Sequence, residues 1–167
     1  AFAAGVVQLP ASLDQQLAEY GDIDVRDTYL TPINFSTVER LAHWQAAVRM
    51  IEANPWLGVG FGNYPAAYDQ YRLIVWVNAL GHAHNYYLNV FAETGVLGLL
   101  AYLLWWGTAF VVVWRARRSS GRVNYALVGL LGAFAHLAGH HFFDDLYVAN
   151  MHMVIGVWLG LAARWAR

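Results

Sequence analysis

His82, His84, Asn85, Asn89 and Glu93 crowd into twelve residues, just before an apolar run that carries no charge. An imidazole titrates near neutral pH and can take a proton from an attacking hydroxyl, so His84 is a candidate general base. If a helix begins near His84, the spacing of four puts Asn85, Asn89 and Glu93 on one stripe, with His84 about 100° round the axis. Such a stripe is either an interfacial helix end that solvates headgroups or the wall of an active site. HHFFDD, residues 140–145, is a second polar island. It reads as a wet helix end or as ionisable groups kept near membrane depth for function. His82, His84, His140, His141, Asp144 and Asp145 are ligand types that suit zinc or iron. Their spacing fits no strong metal motif and HExxH is absent, so no metal is assigned. Arg40 is either a solvated surface side chain or a two-pronged grip for a diphosphate.

These residues must be positioned by helices, part of them in lipid. The chain of 167 residues is 59% hydrophobic and only 13% charged, against about 25% charged in soluble proteins. Its mean hydropathy is +0.36. Without cysteine there is no disulfide framework, thiolate metal site or Cys nucleophile. A net charge of −1 argues against a nucleic-acid partner. Residues 96–114 are free of charge and match the roughly 20 residues that a membrane-crossing helix needs. Residues 123–143 and 147–163 are further candidates, and in lipid all three must be helical. Arg115, Arg117, Arg118 and Arg122 lie between the first two spans, and Arg164 and Arg167 end the chain, whereas the 144–146 corner is acidic. The positive-inside rule puts 115–122 and 164–167 in the cytoplasm, with 12–95 and the acidic corner outside. Residues 1–11 read as the end of a preceding transmembrane segment. The expectation is therefore an all-α, polytopic membrane protein fragment with a helical extracytoplasmic loop and about three transmembrane helices.

Within that loop, Ser36-Thr37-Val38-Glu39 predicts a capping box and a helix from Thr37 to about Ala53, stopped by Asn54-Pro55. Leu41, Trp44, Val48 and Ile51 recur at helical spacing and predict its buried stripe, with Arg40 and His43 beside it. The alternating Gly58, Gly60 and Gly62 predict a tight turn packed against another segment, then a short helix near 66–72. They have neither the Lys nor the strand-to-helix context of a phosphate loop.

"ERLAHWQAAVRMIEANPWLGVGFGNY" followed by "AHNYYLNVFAETGVLGLLAYL" resembles the C-terminal half of the O-antigen ligase and O-antigen polymerase superfamily. The resemblance spans residues 36 to 145. It rests on Arg40-x-x-x-Trp44, the Asn-Pro-x-x-Gly-x-Gly turn, His84-Asn85 with Gly95 after ten intervening residues, and His140-x-x-Phe143-Asp144. It implies a metal-independent, inverting membrane glycosyltransferase of the GT-C kind, without cofactor, in the bacterial inner membrane with its site facing the periplasm. The donor would be an undecaprenyl diphosphate-linked glycan and the acceptor lipid A-core or another glycan. His84 matches the family's essential histidine and Asp144 an acidic residue important in some members. Arg40 matches an arginine that binds the diphosphate, and Asn85, Glu93 and His141 are placed with it on the substrate. A second arginine and about nine transmembrane helices are expected upstream, so these residues alone should be inactive. A repeat-unit polymerase, a protein glycosylating ligase, a transporter with a His/Asp relay and a membrane metal hydrolase using His82, His84 and His141, which chelation should silence, are the alternatives.

Overall fold

The computed structural model describes residues 31–74, 76–119, 122–147 and 150–165. The expected end of a preceding segment, residues 1–11, lies outside them, as does the first part of the 12–95 loop. Among the described residues there are five helices: α1 (Phe35–Ala53), α2 (Tyr64–Tyr71), α3 (Tyr86–Ala116), α4 (Tyr125–His140) and α5 (Met151–Trp165). Between α3 and α4 the arginine-rich loop closes as a small antiparallel hairpin, Arg118–Ser119 with Arg122–Val123. The architecture is all-helical apart from this turn. Among the described residues, only α3 is long and apolar enough to cross a membrane. Helices α4 and α5 are apolar but shorter, at 16 and 15 residues, against the roughly 20 that a full span requires.

α1 starts two residues earlier than its sequence suggests, and Ser36 and Glu39 do not cap it. Asn34 is the N-cap. Its backbone N–H donates to Thr31 Oγ1 (3.2 Å), while its Oδ1 accepts the Thr31 N–H (2.8 Å). This reciprocal turn orders the chain before Ser36 is reached. The buried face also differs from the expected one. Val38, Ala42, Ala46, Ala47 and Met50 are buried, whereas Val48 is 41% exposed and Leu41, Trp44 and Ile51 are only half-buried. Alanines let α1 lie close against α2 and α3, and the bulkier apolar residues are left at the edge of that contact.

α3 is two helices joined at Gly95, whose φ of 65° and ψ of −169° are not helical. That conformation is essentially restricted to glycine. A break leaves Ala92 and Glu93 carbonyls and the Val96 N–H without helical partners, which buried backbone cannot afford. The glycine-rich turn 54–62 supplies them. Val59 N–H donates to Ala92 O, Gly60 N–H to Glu93 O, and Val96 N–H to Pro55 O, at 2.8–2.9 Å. The segments touch so closely that a Cβ on Gly58 would stand 2.3 Å from the Glu93 carbonyl carbon, and one on Gly95 2.2 Å from that of Trp56. The predicted turn therefore packs on the helix break itself.

Two cores result. Ala46, Ala47, Met50, Tyr64, Tyr68, Ala83 and Ala92 hold α1 and α2 against the first part of α3. Trp106, Val113, Leu127, Phe134 and Ile155 join the apolar part of α3 to α4 and α5. On the far side of α3, Leu97, Leu100, Leu104 and Trp114 stay exposed. Contiguous apolar surface of that kind is compatible with lipid or with further helices.

Candidate active site

The expected helix start at His84 falls two residues later, at Tyr86, with Asn85 as N-cap. His84 itself adopts a left-handed backbone, φ 52°, rare for a residue with a side chain. Three hydrogen bonds pin this turn. Asn89 Oδ1 accepts the Ala83 N–H (3.1 Å), Trp44 Nε1–H donates to His84 O (3.3 Å), and the His84 N–H donates to His82 Nδ1 (3.1 Å). Backbone strain held in place by its surroundings is common at functional sites.

The His84 imidazole is enclosed by the three segments that the fold brings together. Its Nδ1 lies 3.5 Å from Asp144 Oδ1, and neither ring nitrogen has a hydrogen-bond partner among the described residues. The His82 ring meets it edge-on at 4.6 Å between centroids, and the His43 ring at 5.5 Å. Burial lowers the His84 pKa below the ordinary 6.5; His82 and Arg40 lower it further, and Asp144 opposes them. His84 is therefore a neutral imidazole at pH 7. Burial would raise the Asp144 carboxyl, but the Asp145 backbone N–H and the His84 and His82 imidazoles outweigh it and hold the group below its usual value. Asp144 is thus anionic. A neutral imidazole with a carboxylate behind one nitrogen can accept a proton on the other. Arg40 is near enough for its charge to be felt at His84, with one guanidinium nitrogen 3.3 Å from the Ser36 carbonyl.

His84, Asp144 and Arg40 thus share one electrostatic neighbourhood, whereas Asn85, Glu93 and His141 have partners inside the protein. Asn85 Oδ1 accepts the Leu88 N–H and caps α3. Both Glu93 carboxylate oxygens are taken by the backbone of the glycine turn, from Gly62 N–H (3.0 Å) and Tyr64 N–H (3.1 Å). The stripe of Asn85, Asn89 and Glu93 therefore brackets the loops around His84. His141 is fully buried among Tyr86, Tyr102 and Tyr147, and its carbonyl accepts the Tyr86 N–H (2.8 Å).

His43 is the site residue that sequence reasoning left beside the helix stripe. It is 1% exposed, stacked on Tyr68 at 4.8 Å and edge-on to His84. Tyr64 O–H donates to the His43 carbonyl (3.2 Å), so its oxygen accepts from His43 Nδ1 (3.1 Å). Burial, then His84 and His82, lower the His43 pKa to about 4. Its sequence signal is the spacing of three from Arg40, which is too common in helices to single it out.

Residues 4–103, more than half of the chain, match the family model described as O-antigen ligase. The chain belongs to the O-antigen ligase family. The matched stretch carries Arg40, His43, His84 and the Gly95 break, while Asp144 lies beyond it. An O-antigen ligase of Pseudomonas aeruginosa is 36% identical over 78 residues, which are 46% of this chain and 18% of that protein. The chain thus spans less than a fifth of that relative. O-antigen ligases are membrane-embedded, glycosyltransferase-type enzymes, and the apolar α3 agrees with that setting.

Proposed function

We propose that this chain forms the outward-facing catalytic part of an O-antigen ligase that moves a glycan from undecaprenyl diphosphate to lipid A-core or another glycan. The observation that carries this reading is the neutral, strained His84 with Asp144 beside Nδ1 and the Arg40 charge close by. In the proposed step Nε2 of His84 takes the proton of the acceptor hydroxyl. The acceptor oxygen bonds to the anomeric carbon from the face opposite the leaving group. The bond from that carbon to the diphosphate oxygen breaks, the diphosphate leaves with the electron pair, and the sugar is inverted. Asp144 orients the imidazole and stabilises its protonated form, as a carboxylate does behind a catalytic histidine. Arg40 offsets charge developing on the diphosphate, a task for preorganised guanidinium groups that needs no metal. Asn85, Glu93 and His141 serve the same site by holding its loops and helices.

The membrane would be the bacterial inner membrane, with the site facing the periplasm. Arg115 and Arg117 at the far end of α3 support that orientation through the positive-inside rule. On this reading α3, α4 and α5 are the transmembrane helices, in contact with the remaining helices of the full-length protein. The test is transfer by full-length protein in liposomes holding a labelled undecaprenyl diphosphate glycan and candidate acceptors. Transfer with inverted anomeric configuration, unaffected by EDTA, is expected. A product of retained configuration would refute the single displacement.

A further inference from the structure

His82, His84 and Asp144 each present one ligand atom, and these atoms lie within 4.8 Å of one another. Two imidazoles and a carboxylate are the donor set of catalytic zinc sites and of two-histidine, one-carboxylate iron sites. Tetrahedral zinc with bonds near 2.1 Å places its ligand atoms about 3.4 Å apart. The His84 Nδ1 to Asp144 Oδ1 separation is already 3.5 Å, and rotation of the half-buried His82 side chain would close the remaining gap. Nothing else competes for the central ligand, because neither His84 nitrogen has a hydrogen-bond partner among the described residues. The neighbouring contacts also prearrange the set. His82 Nδ1 accepts the His84 N–H (3.1 Å), and Asp144 Oδ1 accepts the Asp145 N–H (2.9 Å). Such supporting bonds orient metal ligands.

We propose that His82, His84 and Asp144 form a divalent transition-metal site, suited above all to zinc, whose occupation switches the enzyme off. A metal on His84 Nδ1 leaves the ring proton on Nε2, so that nitrogen has no lone pair for the acceptor proton, and it draws Asp144 from its supporting place. Inhibition rests on the base role proposed above, while metal binding does not.

The two are separated by reading binding and transfer independently on the full-length protein in detergent or liposomes. Cobalt(II) serves as the spectroscopic probe and zinc as the inhibitor. The wild type should show the intense visible bands of low-coordinate cobalt. Zinc should abolish transfer and EDTA restore it. His82→Ala removes a direct ligand, so it should weaken zinc binding by more than the roughly 10–100-fold that loss of a supporting partner alone costs, and raise the inhibiting zinc concentration in proportion. His82→Cys keeps a ligand, so it should stay inhibited and add a thiolate-to-cobalt absorption. A wild-type spectrum of hydrated cobalt, or equal zinc sensitivity in wild type and His82→Ala, would overturn the site. Loss of transfer on EDTA treatment would overturn the inhibitory role, because the metal would then be required. If no acceptor is glycosylated under any condition, the cobalt spectra still decide the site, and the failure falls on the transferase reading.

Discussion

The Nδ1 atom of His84 stands 3.5 Å from Oδ1 of Asp144, although one residue precedes the long apolar helix and the other follows the next helix. The turn before α3 and the end of α4 are tied together at this point, and the Tyr86 N–H bond to the His141 carbonyl reinforces it. The pair divides two tasks. His84 holds a free nitrogen, and Asp144 holds a negative charge behind it.

Removing His84 should abolish the proton transfer while leaving the fold. His84→Ala is expected to lower the transfer rate by about 10²–10⁴-fold, the range ascribed to a positioned general base. Binding of the lipid-linked donor should change little. Rates measured against bound donor separate the two. A variant that transfers at the wild-type rate would reduce His84 to a strained helix-end residue.

The pH profile should move in opposite directions when the neighbours of His84 are neutralised. A base works only when deprotonated, so transfer rises with pH through the His84 pKa, below 6.5. Asp144 raises that pKa, so Asp144→Asn should lower it and slide the acidic limb to lower pH. Arg40 depresses it, so Arg40→Gln should slide the limb to higher pH. Both substitutions should also cost rate. Limbs that coincide in metal-free buffer would show that the three groups do not share a site.

Glu93→Gln should destabilise the outer helices. The buried carboxylate accepts two backbone N–H groups, and an amide oxygen replaces only one of its two acceptors while presenting N–H₂ to a donor. Hydrogen bonds to charged groups contribute about 1.5–3 kcal/mol, and a loss of that order is expected in thermal unfolding. Tyr64 is released along with its bond to His43, so transfer should fall with stability. An unchanged melting temperature would contradict the bracket.

Gly95→Ala should be more damaging. The new Cβ would stand 2.2 Å from the Trp56 carbonyl carbon, in a backbone conformation that side chains disfavour. Overpacking alone costs about 1–3 kcal/mol, and the backbone conformation adds about 1–3 kcal/mol. Poor expression, or protease cleavage within 54–62, would report the loosened turn. Normal folding would mean that the turn and the break move apart freely.

Much of this arrangement was legible from spacing. The charge-free run beginning at residue 96 sits directly after the Gly95 break, because only the second part of α3 has a uniformly apolar surface. The Asn-Pro stop of α1 and the turn after it also follow from local rules that tertiary packing left intact. Other features depend on partners distant in sequence. Spacing shows that Asn85, Asn89 and Glu93 share a face, but their partners are backbone N–H groups, which every residue but proline carries. The α1 stripe failed for a related reason: periodicity marks large apolar residues, whereas close helix contact here selected Ala42, Ala46 and Ala47. Ser36 lost the cap because Thr31 and Asn34, just upstream, close a turn first.

The crossed backbone bonds between residues 55–60 and 92–96 also fix an altitude. Because the glycine turn shares hydrogen bonds with the point where the apolar helix begins, the outer helices cannot ride up or down on it. On the proposed reading, the His84 imidazole stands at one constant height above the acyl chains. A donor anchored by its polyprenyl tail has its own fixed height, with the diphosphate at the headgroups and the first sugar just beyond. Because the reacting carbon is bonded to that diphosphate, glycans of any length present it at the same height, and a base held at a fixed altitude meets short and long donors alike.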